Sequence, residues 1–181
     1  LHAAGLAFTE EASPQQAARV LAEGGVLARF SGRAGCGRWG AGTRSVLTRA
    51  DDLAAARAAQ ALGRREGDEP CCLWSSQSED AAFAGAGRFG TLASVVPSSF
   101  GEKYPGVVTR DGRAHMVNVD ADDWLSSVMR ELSALTGSGL IAALPLARVQ
   151  DPPVATPADA IRVFRASELV SHLYLGPYVV Q

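Results

Sequence analysis

The chain is poor in several things. Three cysteines occur in 181 residues, Cys36, Cys71 and Cys72. They show neither a CxxC pair nor a Cys/His ligand spacing, so a disulfide framework and a zinc knuckle are both excluded as readings. Adjacent Cys71 and Cys72 do not readily pair with each other, and their setting, "PCCLW", reads as a buried strand. A reduced, cytoplasmic protein is the simplest expectation. No apolar run approaches the ~18 residues that span a bilayer, so no membrane partner is expected. No basic n-region precedes an apolar stretch, so no secretory leader is expected either. The formal net charge is −2, which supplies no electrostatic reason to expect nucleic acid. Lysine is nearly missing: of 17 basic residues only Lys103 is a lysine. The arginine excess has two readings, a G- and C-rich genome or the recognition of carboxylate, phosphate or sulfate by guanidinium forks.

What is present suits one mixed α/β domain over residues 1–181, with 47% hydrophobic and 20% charged residues. Ser13-Pro14 opens a helix that runs through "QQAARVLAE" to Gly24-Gly25. "VLARF" reads as a strand, and "TRSVLT" as the next. Thr48 is a candidate cap for the helix "LAAARAAQAL", with Asp51 and Asp52 in its first turn and Gly63 at its end. "PCCLWS" reads as a buried strand and residues 78–84 as a helix. "GVVTR" and "RAHMVNV" flank Asp111-Gly112 and predict a hairpin. "ADDWLSSVMRELSAL" predicts an amphipathic helix with Trp124, Val128, Leu132 and Leu135 on one face. Its leading carboxylates suit a helix N-terminus better than a metal ion. "LIAALPLA" reads as a strand, "ATPADAIRVFR" repeats the Thr-Pro helix start, and "ELVSHLYL" and "YVV" read as terminal strands.

Chemistry is concentrated in "EGGVLARFSGRAGCGRWGAG", residues 23–42, which holds seven glycines. Arg29, Arg33 and Arg38 lie within it and Arg44 just beyond. Glycines permit close backbone approach and positive φ, so the stretch suits an anion-binding loop or an open solvated one. No G-K-[ST] ends it, so it is not a Walker loop, and no metal or other cofactor is expected. Arg64 and Arg65 close the following helix. Lys103 beside Tyr104, and His115 on its strand, are the candidate proton-transfer groups, although an exposed loop lysine and a structural histidine are the simpler readings. His172 is a candidate of the same kind. Ser31 and Cys36 are candidate nucleophiles, although spacing gives neither a histidine partner. Trp39 and Trp74 suit a cavity wall or the core.

The ordered landmarks "AARVLAEGGVLARF", "GCGRWGAG", "LGR" at 62–64, "EPCCLW", "YPGVVT" at 104–109, "MVNVD" at 116–120, "LIAALPLAR" at 140–148 and "ATPADAIRVF" resemble YrdC-like domains, the fold of threonylcarbamoyl-adenylate synthases. The resemblance implies a twisted mixed sheet with flanking helices and a central cavity. It also implies where this chain departs from the family. The lysine of the family's "KGR" falls on Leu62, leaving only Arg64. The serine and asparagine of "SAN" fall on Ala143 and Pro145, and the arginine of "R-x-P" on Asn118. These polar groups hold ATP phosphates and the amino-acid carboxylate in the family. A proline at the asparagine position lacks both the side-chain and the backbone donor. Each lost charge-assisted bond is worth about 1.5–3 kcal/mol, so ATP-dependent transfer of the family type is the least favoured activity. The leading expectation is a repurposed protein of specialised metabolism that binds a small anionic, amino-acid-derived substrate through Arg29, Arg33, Arg38, Arg64 and Asn118. Elimination or internal displacement of a sulfate- or phosphate-type group, such as aziridine closure, suits that site. The alternative is a non-catalytic subunit of a heterodimer with a related chain; a homodimer is also open.

Overall fold

A computed structural model describes residues 5–33, 40–63, 70–75, 89–148, 151 and 154–181. Its strands form one open, twisted mixed sheet of nine strands in the order β1-β9-β8-β2-β3-β7-β4-β6-β5. The strands are β1 (Phe8–Thr9), β2 (Val26–Phe30), β3 (Arg44–Arg49), β4 (Cys71–Trp74), β5 (Phe89–Val95), β6 (Arg113–Asn118), β7 (Ile141–Pro145), β8 (Val170–Leu175) and β9 (Tyr178–Val180). The helices are α1 (Pro14–Ala22), α2 (Leu53–Gly63), α3 (Ser98–Lys103), α4 (Asp123–Thr136) and α5 (Pro157–Arg165). Two neighbouring pairs run parallel, β2 with β8 and β4 with β6; the other pairs are antiparallel.

Side-chain alternation along β2 divides the core. Leu27 joins one hydrophobic cluster while Val26, Ala28 and Phe30 join another, as a period of two requires of a strand buried on both faces. The first cluster takes Leu21 from α1 and Leu125, Met129 and Leu132 from α4, two helices that pack on each other. The second takes Ala59 from α2 and Ala160 and Val163 from α5. Each fully buried leucine contributes about 1.5–3 kcal/mol of transfer free energy.

Helix boundaries follow local chemistry. Ser13 Oγ accepts from the Gln16 N–H at 3.2 Å, with Pro14 at the first helical position. Thr156 and Asp159 form a reciprocal capping box on α5. Gly137, with φ of 76°, ends α4.

Three expectations are corrected. The cap of α2 is Asp52, whose Oδ1 accepts from the Ala55 N–H at 2.9 Å; Thr48 is still inside β3, buried. Asp111-Gly112 does form a turn, with the Gly112 N–H donating to Thr109 O at 3.0 Å. "GVVTR" is not a strand, however, and β6 pairs with β5 instead. Leu135 is 55% exposed: its periodicity sets the direction it points, without providing a layer for it to pack against. The sequence reading also missed β1, β5 and α3. The helix expected over 78–84 lies outside the described residues. Cys71 and Cys72 are buried in β4 as expected, and burial pushes the Cys71 thiol far up. No helix among the described residues is long and apolar enough to cross a membrane.

Candidate functional site

The glycine–arginine segment leaves the sheet where parallel β2 and β8 end, at Phe30 and Leu175, and returns at Arg44 opposite Phe30. Its two ends are tied together. The Ser31 N–H donates to Thr43 O at 3.0 Å. Arg44 Nη1 donates to Ser31 O at 2.6 Å and Thr43 O at 2.8 Å, and its Nη2 to Gly32 O at 2.8 Å. The same guanidinium lies 3.6 Å from the centre of the Phe30 ring. Burial, and secondarily the charge of Arg29, depress its pKa. Arg44 is therefore a staple across the base of the loop. Arg33, directly after Gly32, is exposed. Beside this staple lies a cleft of about 350 Å³, walled by Phe30, Pro157, Leu175 and Tyr178 and completed by Ser31, Gly32 and Gly176. It sits at the end of the sheet, at the carboxyl ends of two parallel strands, where open α/β sheets place ligands.

Arg29 points the other way. Its side chain is 6% exposed and faces α4. Nη1 donates to Asp122 Oδ2 at 2.6 Å and Nη2 to Asp122 Oδ1 at 3.1 Å, a bidentate pair. Nη1 also donates to Gly42 O at 3.0 Å, and the guanidinium lies 4.7 Å from the centre of the Trp124 ring. Asp122 Oδ1 in turn accepts from the Leu125 N–H at 3.0 Å and so caps α4. Trp124 Nε1 donates to Ala12 O at 2.7 Å, and its ring is 5.1 Å from that of Tyr174, the β8 residue in register with Arg29. One cluster thus joins β2, β8, the loop base and α4.

Within it, the Tyr174 hydroxyl is buried without a hydrogen-bond partner, and burial raises its pKa from 10.0 to about 12. Between those values the unfolded chain holds fewer protons than the folded one, so stability falls as pH rises, by up to about 1.4 kcal/mol per unit. Tyr174→Phe is expected to remove that slope. It is also expected to raise stability at pH 7 by about 1 kcal/mol, since an unsatisfied hydroxyl is removed. Urea unfolding at pH 7 and at alkaline pH checks both; a loss of stability at pH 7 refutes the assignment.

The other expected site residues are dispersed. Lys103 ends α3 and is exposed, its Nζ 5.0 Å from the centre of the Tyr104 ring. Tyr104 is in the core and its hydroxyl bonds with Ser138 Oγ at 3.2 Å. His115 lies on β6 with Nδ1 2.9 Å from Gly90 O. Asn118 ends β6 and donates from Nδ2 to Asp120 Oδ2 at 2.9 Å. Lys103 and Tyr104 are thus neighbours, while Arg29 and His115 stand on strands with β3, β7 and β4 between them. His172 bonds with the adjacent Ser171 Oγ at 2.8 Å, and Trp74 is buried in the first core cluster. Arg38, Arg64, Arg65, Cys36 and Trp39 lie outside the described residues. Among the described residues no group of three or more His, Cys, Asp or Glu is placed to hold a metal ion.

Sequence reading missed a second polar network at the ends of parallel β4 and β6. Ser75 Oγ donates to Asp120 Oδ1 at 2.6 Å and lies 3.4 Å from Ser126 Oγ; Ser126 Oγ donates to Val119 O at 3.1 Å. It missed the Arg29–Asp122 pair as well, although the N-terminal placement of the acidic residues at 122 and 123 was a usable signal for the cap.

No protein with a curated description matches the chain. A family model described as the carbamoyltransferase C-terminus matches residues 18–181, from within α1 to the last residue. This is related to, but different from, the YrdC-like family that the ordered motifs resemble. The match takes in the loop, the cleft and the Arg29 cluster, and by it the chain belongs to the carbamoyltransferase C-terminus family.

Proposed function

We propose that this domain is a YrdC-like module of a carbamoyltransferase-type enzyme of specialised metabolism, and that it binds a small anionic, amino-acid-derived substrate at the mouth of the glycine–arginine loop. The observation that carries this reading is the division of labour between two arginines. Arg44 spends both terminal nitrogens on stapling the loop, while Arg33, which follows the cleft residue Gly32 in the chain, is exposed. A guanidinium held there suits an incoming carboxylate, or a departing sulfate- or phosphate-type group when an internal amine displaces it in ring closure. Arg33→Ala, Arg38→Ala and Arg64→Ala are expected each to weaken phosphate binding by about two- to fivefold, the range of an exposed ion pair. Unchanged phosphate titrations in all three variants end this reading.

A specific observation favours a partner for the chemistry. Two of the three groups proposed for proton transfer are engaged inside the fold, Tyr104 with Ser138 and His115 with Gly90. On this second reading a related subunit supplies the reacting groups. Co-expression with a related chain, followed by size-exclusion chromatography, is expected to give a stable heterodimer that is active only as the pair. Full activity of the isolated chain refutes it.

A further inference from the structure

The cleft at the ends of β2 and β8 has a different character from an arginine-lined hollow. Its walls are the rings of Phe30 and Tyr178 and the side chains of Leu175 and Pro157. Several backbone groups around it are already paired. The Gly176 N–H donates to Phe30 O at 2.9 Å and the Ser31 N–H to Thr43 O at 3.0 Å. The Ser31 and Gly32 carbonyls accept from Arg44. The N-terminus of α5 is closed as well, because Thr156 Oγ1 accepts from the Asp159 N–H and the Asp159 carboxylate accepts from the Thr156 N–H. The cleft therefore offers ring and hydrocarbon surface and few free hydrogen-bonding groups. Its volume of about 350 Å³ is that of a small-ligand site. Two guanidinium groups belong to the same segment: Arg44 on the Phe30 ring and the exposed Arg33 after Gly32. The nearest acid of α5, Asp159, is held by Thr156 and lies 3.5 Å from Arg162.

We propose that this cleft receives the apolar body of a small monoanion, an aryl or branched-alkyl carboxylate, whose charged end meets Arg33. The proposal rests on the anion-binding reading above and adds the half of the substrate that carries no charge. It makes the site selective for amphiphilic anions over bare ones.

Amide chemical-shift titrations of the whole chain test it with three probes: phenylacetate, its uncharged isostere phenylacetamide, and inorganic phosphate. Phenylacetate is expected to move the Gly32 and Gly176 signals and to bind about three- to fivefold more tightly than the amide, the range of one exposed ion pair. Arg33→Gln is expected to erase that difference without affecting the amide, and Ser31→Phe, which places a ring in the cleft, to abolish binding of both. Arg33 is exposed, so the first variant keeps the proposal testable even if the second folds poorly. If phosphate binds near the loop while phenylacetate leaves Gly176 unmoved, the cleft proposal falls and the anion-binding reading stands. If acid and amide bind equally, the role of Arg33 falls. If no probe binds at millimolar concentration, both readings fall.

Discussion

Asp122→Ala is expected to cost about 3–5 kcal/mol of folding stability, the range for stranding one member of a buried ion pair. The reason is asymmetry. Asp122 is a quarter exposed, so its carboxylate alone remains hydrated, whereas the Arg29 side chain is 6% exposed. Without Asp122 that guanidinium keeps, among the described residues, Gly42 O and the Trp124 face as partners. The same substitution removes the oxygen that caps α4 at Leu125, a loss of about 1 kcal/mol in its own right. The exposure of Asp122 argues for the lower half of the combined range. Two further variants separate the contributions. Asp122→Asn retains a capping oxygen and loses the charge, so it is expected to cost less than alanine. Arg29→Met removes the buried charge and leaves a carboxylate that water can reach, so it is expected to cost less than Asp122→Ala. In the double variant the charges no longer need each other, and the two losses are expected to be clearly sub-additive. Thermal unfolding reads this as a fall in Tm of about 2–4 °C per kcal/mol for a chain of this size. A loss below about 1 kcal/mol for Asp122→Ala, the value of a surface pair, refutes the burial argument.

Gly42→Val is the second large effect, expected at about 2–5 kcal/mol. Gly42 has φ of +80°, and a Cβ there would lie 2.5 Å from Leu125 Cδ1 and 3.3 Å from Leu73 Cδ1. The left-handed backbone costs a β-carbon residue about 1–2 kcal/mol, and forcing volume into packed surroundings about 1–3 more. Leu125 is fully buried in the first core cluster, so it has little room to withdraw. The Gly42 N–H also donates to Ser45 Oγ at 3.0 Å, and its carbonyl accepts from Arg29. Displacement of the loop base therefore disturbs the ion pair as well. Gly32→Ala is the control. Gly32 has φ of +57° but nothing within 4 Å of the added carbon, so only the backbone cost applies. Urea midpoints are expected to rank wild type, Gly32→Ala, then Gly42→Val. Equal losses for the two variants refute the packing contribution at Gly42.

These predictions concern residues whose roles were unequally legible in sequence. The starts of α1, α4 and α5 carry their chemistry within four residues: Ser13-Pro14, the acidic residues at 122 and 123, and Thr156 with Asp159. Such signals are local and survive in the fold. The hairpin expected around Asp111-Gly112 failed in an instructive way. The turn is real, with Gly112 at φ of +74°, because turn chemistry is decided by two residues. Partner choice is decided by the whole sheet, and β6 lies between β5, with which it runs antiparallel, and β4, with which it runs parallel. The cap of α2 moved from Thr48 to Asp52 for a related reason. Pairing of β3 with β7 extends to Arg49, which keeps Thr48 within the strand.

The candidate site was legible as a composition and not as an arrangement. Glycines and arginines marked residues 23–44 as unusual, and that segment does border the cleft. Lys103, Tyr104 and His115 were selected for their chemistry, and the fold gives Tyr104 to the core and sets His115 on a strand distant from Arg29. The walls of the cleft come from residues 30, 157, 175 and 178, brought together by the parallel pairing of β2 with β8, which no local pattern announces. Sequence alone determined where α1, α4 and α5 begin and that guanidinium groups crowd one loop. Tertiary structure alone decided which of those groups is available. Arg29 and Arg33 are the same side chain four positions apart, yet one is buried against Asp122, 93 residues away in the chain, and the other faces solvent. Charge is a property of a residue, but burial and pairing are properties of its neighbours, and those are chosen only when the sheet assembles.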